Sequence, residues 1–156
     1  MDTQVFYVQF AISLAVYVAL IRQYGLPWLD RLTREQAVIA LLVPHAFRHL
    51  GLFALTQAAY IPQISEKWAR TVAWGDLATQ VLAFSAILLL QRRSSAGIAV
   101  AWLANIAGII DFTLSTIASE TTGLPVHLLY AGWFLPVFYL PLLAVSHFYL
   151  FRYLRK

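Results

Sequence analysis

The chain contains no cysteine. Disulfides, thiolate-bound metals, iron–sulfur clusters and thiol nucleophiles are thereby excluded, while the redox compartment is left open. Charge is scarce: 12% of residues are Asp, Glu, Lys or Arg, about half of the roughly 25% typical of soluble domains. No run of Lys or Arg is longer than two and the net charge is only +4, so no nucleic-acid partner is expected. Lysine is absent from the long apolar stretches, which disfavours a Schiff base of the retinal type. What is abundant is apolar residues, 61% of a 156-residue chain, against the usual ~45–50%. That composition fits neither a disordered chain nor a coiled coil nor a soluble globule. It fits an all-α, polytopic membrane protein.

A helix needs about 20 mostly apolar residues to cross ~30 Å of hydrocarbon. Five segments qualify, at about 4–22, 36–60, 71–91, 95–118 and 126–150. None alternates as a barrel strand does, so a five-transmembrane-helix bundle in one domain, 1–156, is predicted. The first segment has Asp2 in place of a basic leader and no small-residue cleavage site before Arg22, unlike a signal peptide. Tyr24, Gly25, Pro27 and Trp28 predict an interfacial turn, and Thr33 to Gln36 fits a capping box. Trp68 and Trp74 are expected as belt aromatics ahead of the third helix. The basic residues segregate: Arg22, Arg31, Arg34, Arg92, Arg93, Arg152, Arg155 and Lys156 on one side, Lys67 and Arg70 on the other. The positive-inside rule then puts the N-terminus outside and the C-terminus in the cytoplasm.

Ionisable groups inside a span cost about 2.5–3.5 kcal/mol each on insertion scales and default to paired or functional roles. The second span carries Pro44-His45-Ala46-Phe47-Arg48-His49, the third begins with Asp76 and includes Gln80, and the fourth has Asn105 and Asp111. At about 1.5 Å of rise per residue, Arg48, His49, Gln80 and Asp111 all fall roughly 18–22 Å from the cytoplasmic ends. They are expected to share one layer, with Asp111 as the partner of Arg48. His45 and His49, four apart, are expected on one helical face, where imidazoles suit acid/base work near neutral pH. The same spacing serves zinc in other proteins, but no Glu follows the first His and no thiolate is available, so no metal is expected. Pro44 predicts a kink just before the cluster.

Gly97, Ala101, Ala104, Asn105 and Gly108 form a small-residue ridge that permits close helix approach, and Asp111 extends that face toward protein. In the fifth span Pro136 and Pro141 predict an irregular helix, Tyr130 and Trp133 share a face, and His147 is expected near the cytoplasmic interface. His147 then lies about 7 Å shallower than His45. That is a poor match for bis-His haem, which needs two His at one depth on different helices.

With these pieces in place, the chain resembles the emopamil-binding-protein-like family of sterol isomerases and the sigma-2 receptor. His45 with His49, Gly75-Asp76, Asp111, and Tyr130-x-x-Trp133 with Pro136 follow the order of that family's motifs over about residues 40–140. Where the family has an acid four residues after its His, this chain has His49; its helix-three acid corresponds at best to Gln80, and its helix-five Asn to Tyr130. The resemblance implies a lipid-accessible cavity between the helices. The pieces H-x-F-R-H, G-D, N-x-x-G-x-x-D and P-x-x-x-x-P also resemble small bacterial inner-membrane proteins, which implies a multi-pass inner-membrane location.

The expectation for function is a protein that binds a lipophilic, sterol- or isoprenoid-like molecule; isomerase-type proton transfer is the reaction that the resemblance implies, and whether the chain is an enzyme is left open. His45, His49 and Asp111 are the candidate catalytic residues, and Arg48, Gln80, Asn105, Tyr130 and Trp133 the candidate ligand contacts. Three alternatives compete: an accessory subunit of a membrane complex or a homo-oligomer, a proton-coupled transporter, and a haem or quinone protein. No cofactor is specified by the residues.

Overall fold

The structure is a computed structural model that describes the backbone from Asp2 to Lys156 and the side chains from Gln4 onward. It is all-helical, with no strand among the described residues. Five helices are long and apolar enough to cross a membrane: α1 (Gln4–Leu29), α2 (Arg34–Tyr60), α3 (Glu66–Gln91), α4 (Gly97–Thr122) and α6 (Leu135–Leu154). A single short 3-10 stretch, α5 (Val126–Trp133), lies between α4 and α6.

Local sequence explains most boundaries. Thr33 Oγ1 accepts from Gln36 N while Gln36 Oε1 accepts from Thr33 N, the expected capping box at the start of α2. Ser65 caps α3 by accepting from Trp68 N. The third helix therefore starts ahead of the predicted 71, with Trp68 and Trp74 inside it. Gly123, at φ +60°, ends α4 in the left-handed conformation that glycine adopts without penalty. The interfacial turn predicted at Tyr24–Trp28 does not form. Ile21–Gly25 is a wide π-helical turn in which Leu26 N reaches back to Ile21 O, and Pro27 sits in the first turn of the α-helical piece that follows.

The predicted continuous span 126–150 is two elements. Tyr130, at φ 46° and ψ −122°, breaks the helix inside α5. The long helix α6 begins only at Leu135, opens with a π-helical turn around Pro136, and runs to Leu154. Because α6 runs to Leu154 and not to 150, His147 lies a further turn from the C-terminal end than expected, and it is buried.

One end of the bundle is sealed. Ala37, Val38, Leu41 and Leu42 of α2, Ala83 and Ala86 of α3, Ala101 and Ala104 of α4, and Leu150 and Tyr153 of α6 form a continuous apolar core. The alanines let the backbones approach closely, which maximises packing contacts between helices. Arg34 clamps the end of α6 by donating to the carbonyls of Tyr153 and Leu154 at 3.3 and 2.5 Å. Helix α1 lies at the periphery, and none of its residues from Gln4 to Trp28 is fully buried.

Candidate functional site

The site begins with a change of helical pitch. From Val43 to Leu52, α2 tightens into a 3-10 helix, in which residues three apart eclipse one another. His45, Arg48, Gly51 and, one step beyond, Ala54 are all buried, while Phe47, His49 and Leu50 face outward. The predicted pairing of His45 with His49 on one face fails for this reason: a four-residue spacing shares a face only at α-helical pitch. Pro44 produces the tightening in place of a sharp kink. In the 3-10 ladder the carbonyl of Leu41 would look to residue 44, which as proline has no N–H to give. Ser146 Oγ of α6 donates to that carbonyl at 2.5 Å, and Tyr139 Oη donates to the Pro44 carbonyl at 2.5 Å.

Arg48 is 1% exposed and sits at the centre of a polar cluster. Its Nη2 donates to Asp111 Oδ2, the predicted pair. Its Nε lies 2.7 Å from Asp76 Oδ1, an ion pair without hydrogen-bond alignment. Its Nη1 lies 3.3 Å from His147 Nε2. A guanidinium only donates, so His147 Nε2 accepts, its proton is on Nδ1, and Nδ1 donates to Asn105 Oδ1 at 2.7 Å. His45 follows the same logic. Ser146 has given its hydrogen to Leu41 O, so Ser146 Oγ accepts from His45 Nε2 at 3.2 Å, and His45 Nδ1 is left bare. The two imidazoles are in contact, with ring centroids 4.1 Å apart. Rings this close leave no room for a haem between them.

Glycines make the space for this cluster. A Cβ on Gly51 would strike the Asp76 carboxylate, one on Gly75 the Asp111 carboxylate, and one on Gly108 the His147 imidazole. Each helix thus presents bare backbone where its neighbour brings a polar side chain.

On the other side of Arg48 the helices part around a cavity of about 500 Å³. Arg48, Asp76 and Asp111 form its floor. Phe6 and Phe10 of α1, Phe53 of α2, Trp68 of α3 and Phe112 of α4 supply aromatic walls, and α5 contributes Val126, Leu129 and Gly132. Tyr7, whose Oη donates to Glu120 Oε1 at 3.1 Å, lies at the exposed rim. Gln57 Oε1, on the wall, is buried with no partner.

Of the eight candidate site residues, Arg48 and Asp111 line this cavity. His45 and Asn105 are buried behind the floor, in contact with His147. His49 and Gln80 pair with each other, Gln80 Oε1 accepting from His49 N at 2.5 Å, on the outer side of α2. Tyr130 is exposed, and Trp133 donates to Gln9 Oε1 at 2.6 Å outside the cavity. Sequence reasoning did not place Asp76 or His147 in the cluster. Asp76 stands well inside a helix that begins at Glu66 and not at 71, and His147 lies farther from the C-terminal end of α6 than a span ending at 150 implies. The capping serine at 65 was the signal available for the first, while no local signal marked the second.

Fold and site together define a class: an all-helical bundle with five spans of membrane-crossing length, built around a buried Arg–Asp–His cluster that closes one end of an aromatic-walled cavity. Within that class the chain belongs to the family described as Domain of unknown function (DUF8737), whose model matches residues 5–155. No curated protein and no solved structure matches the chain.

Proposed function

We propose that this is an integral membrane protein that takes a lipophilic small molecule, of sterol or isoprenoid size, into the cavity between its helices. The observation that carries the reading is the cavity itself: about 500 Å³, aromatic on its walls and ionic at its floor. Volumes of roughly 300–1,000 Å³ with apolar walls and a few convergent polar groups are characteristic of small-molecule sites. The resemblance to the emopamil-binding-protein-like family supports the same ligand class, and an isomerase-type proton shift within the ligand is the chemistry that suits an ionic floor. Three groups of basic residues, around Arg22–Arg34, at Arg92–Arg93 and at Arg152–Lys156, favour a cytoplasmic sealed end and an N-terminus outside. The cavity then opens within the outer half of a bacterial inner membrane.

The test is thermal unfolding of the purified protein in detergent against a panel of sterols, isoprenoids and hydrophobic amines, with mass spectrometry of co-purified small molecules. A bound ligand raises the midpoint by mass action, and Ser115→Phe, which fills the cavity, abolishes the rise. A panel with no shift and no co-purified molecule defeats the reading.

A further inference from the structure

The floor of the cavity does not balance in charge. It holds one guanidinium and two carboxylates, Arg48 with Asp76 and Asp111, and the cationic centre is 1% exposed. Among the described residues, no neighbour supplies a second positive charge. On α6, His147 presents an acceptor to Arg48 and is therefore neutral, and Tyr139 has committed its hydrogen to Pro44 O. On α2, His45 gives its Nε2 hydrogen to Ser146, and its buried Nδ1 has no acceptor for the second hydrogen that a charged ring would carry. On α4, Ser115 donates to Asp111 at 3.4 Å and carries no charge. On α1, Tyr7 is engaged with Glu120 at the rim. A second bare carboxylate in a low-dielectric interior is costly, and a proton is the simplest compensation.

We propose that the floor holds one exchangeable proton and that Asp76 carries it. Asp111 has the bonds of an ionised group: an aligned donor from Arg48 Nη2 and the Ser115 hydroxyl. Asp76 has Arg48 Nε at 2.7 Å but without alignment, so its best contact leaves an N–H of a nine-tenths-buried side chain unused in hydrogen bonding. Asp76 is also the more open of the two toward the cavity, 16% against 7% exposed. Its carboxyl lies flat against Gly51, where no side chain intervenes.

The role in chemistry rests on the ligand-binding reading; the proton itself does not. For a ligand whose proton-accepting carbon or heteroatom lies over the floor, the Asp76 O–H bond breaks and a bond to that hydrogen forms on the ligand. The carboxylate left behind pairs with Arg48 Nε. Return of a proton from another position of the ligand completes an isomerisation with no oxidant or reductant.

Infrared spectroscopy of the ligand-free protein reads this directly. A protonated-carboxyl C=O band is expected at neutral pH, lost in Asp76→Asn, moved in frequency by Asp76→Glu and not by Asp111→Glu, and lost in the wild type as the pH is raised. Because Asn mimics a neutral acid, Asp76→Asn is expected to unfold at the wild-type temperature, whereas an ion pair of purely structural value predicts a marked drop. Asp111→Asn, which leaves one carboxylate to one guanidinium, is expected to lose the band as well, because Asp76 then ionises against Arg48. A wild-type spectrum without the band, a band that survives Asp76→Asn, or one that shifts in Asp111→Glu and not in Asp76→Glu, overturns the proposal. A normal band with no ligand response in the thermal assay would instead remove only the cavity's proposed use.

Discussion

On one side of Arg48 the helices meet through Ala83, Ala86, Ala101 and Ala104 in a continuous core; on the other they stand apart around about 500 Å³ of space. Both halves are cut from the same four long helices, α2, α3, α4 and α6. The difference lies in what fills the space between α3, α4 and the remaining helices. Small residues bring α3 and α4 together in both halves, Ala83, Ala86, Ala101 and Ala104 in one and Ala69 and Ala118 in the other, but only in the sealed half do Leu150, Tyr153 and Leu154 of α6 fill what remains. In the open half Phe53, Trp68 and Phe112 line a gap that they do not fill, and α1 and α5 serve as walls. The sealed half is thus a rigid mount, and the polar cluster stands where the mount ends. Precise placement of charged groups next to empty space requires such a mount, because each polar side chain must be held by something other than its ligand.

The heaviest perturbation of this contrast is Arg48→Met. It leaves Asp76 and Asp111 buried without their cation, and removal of one partner from a buried ion pair typically costs about 3–5 kcal/mol. The expected outcome is a large drop in unfolding midpoint in detergent, affecting both halves because the cluster joins them. Next comes a matched pair. Leu150→Ala, at a position with no exposure in the sealed half, opens a void and costs about 2–4 kcal/mol, while ligand-induced stabilisation persists. Phe112→Ala on the cavity wall costs less, since the space beside it is already empty, yet it weakens the ligand response. Equal costs at the two positions would erase the distinction between a packed and an open half.

Gly75→Ala sharpens the comparison at the boundary. The added methyl lands on the Asp111 carboxylate, and overpacking of this kind costs about 1–3 kcal/mol. Unfolding with and without ligand will show whether the displaced carboxylate belongs to the binding surface: a loss of ligand response beyond the loss of stability is expected.

The smallest effect lies at the sealed end, outside the spans. Asp30 accepts from Lys156 Nζ and Tyr153 Oη, each at 2.9 Å, and from Arg152 Nη2 at 2.8 Å. These contacts, the Lys156 hydrogen bond foremost, hold its carboxyl below the usual carboxylate range. A depressed acid stabilises the folded state above its unfolded pKa and loses that contribution as pH falls through the folded value. Asp30→Asn is therefore expected to be a little less stable than wild type at neutral pH, with the two converging in acid. Exposure of these groups and salt screening keep the difference small. A pH-independent gap between the two curves would assign the effect to something other than the carboxylate charge.

Much of this molecule was legible in one dimension. Apolar runs of membrane-crossing length, the Thr33 capping box, the small-residue ridge of α4 and the pairing of Arg48 with Asp111 all follow from rules that operate within a helix or from the cost of a lone buried charge. Those rules need only residue type and spacing. Tertiary structure alone decided the pitch of Val43–Leu52, which swapped a four-residue face for a three-residue one and turned His49 outward. It also decided the break at Tyr130, which set the register of α6 and so carried His147 into contact with Arg48 and His45. The physical reason is common to both. A change of pitch or a break rotates and translates everything downstream, and its cost is repaid by contacts with other helices, here the hydroxyls of Ser146 and Tyr139 on the carbonyls of Leu41 and Pro44, that no local pattern encodes.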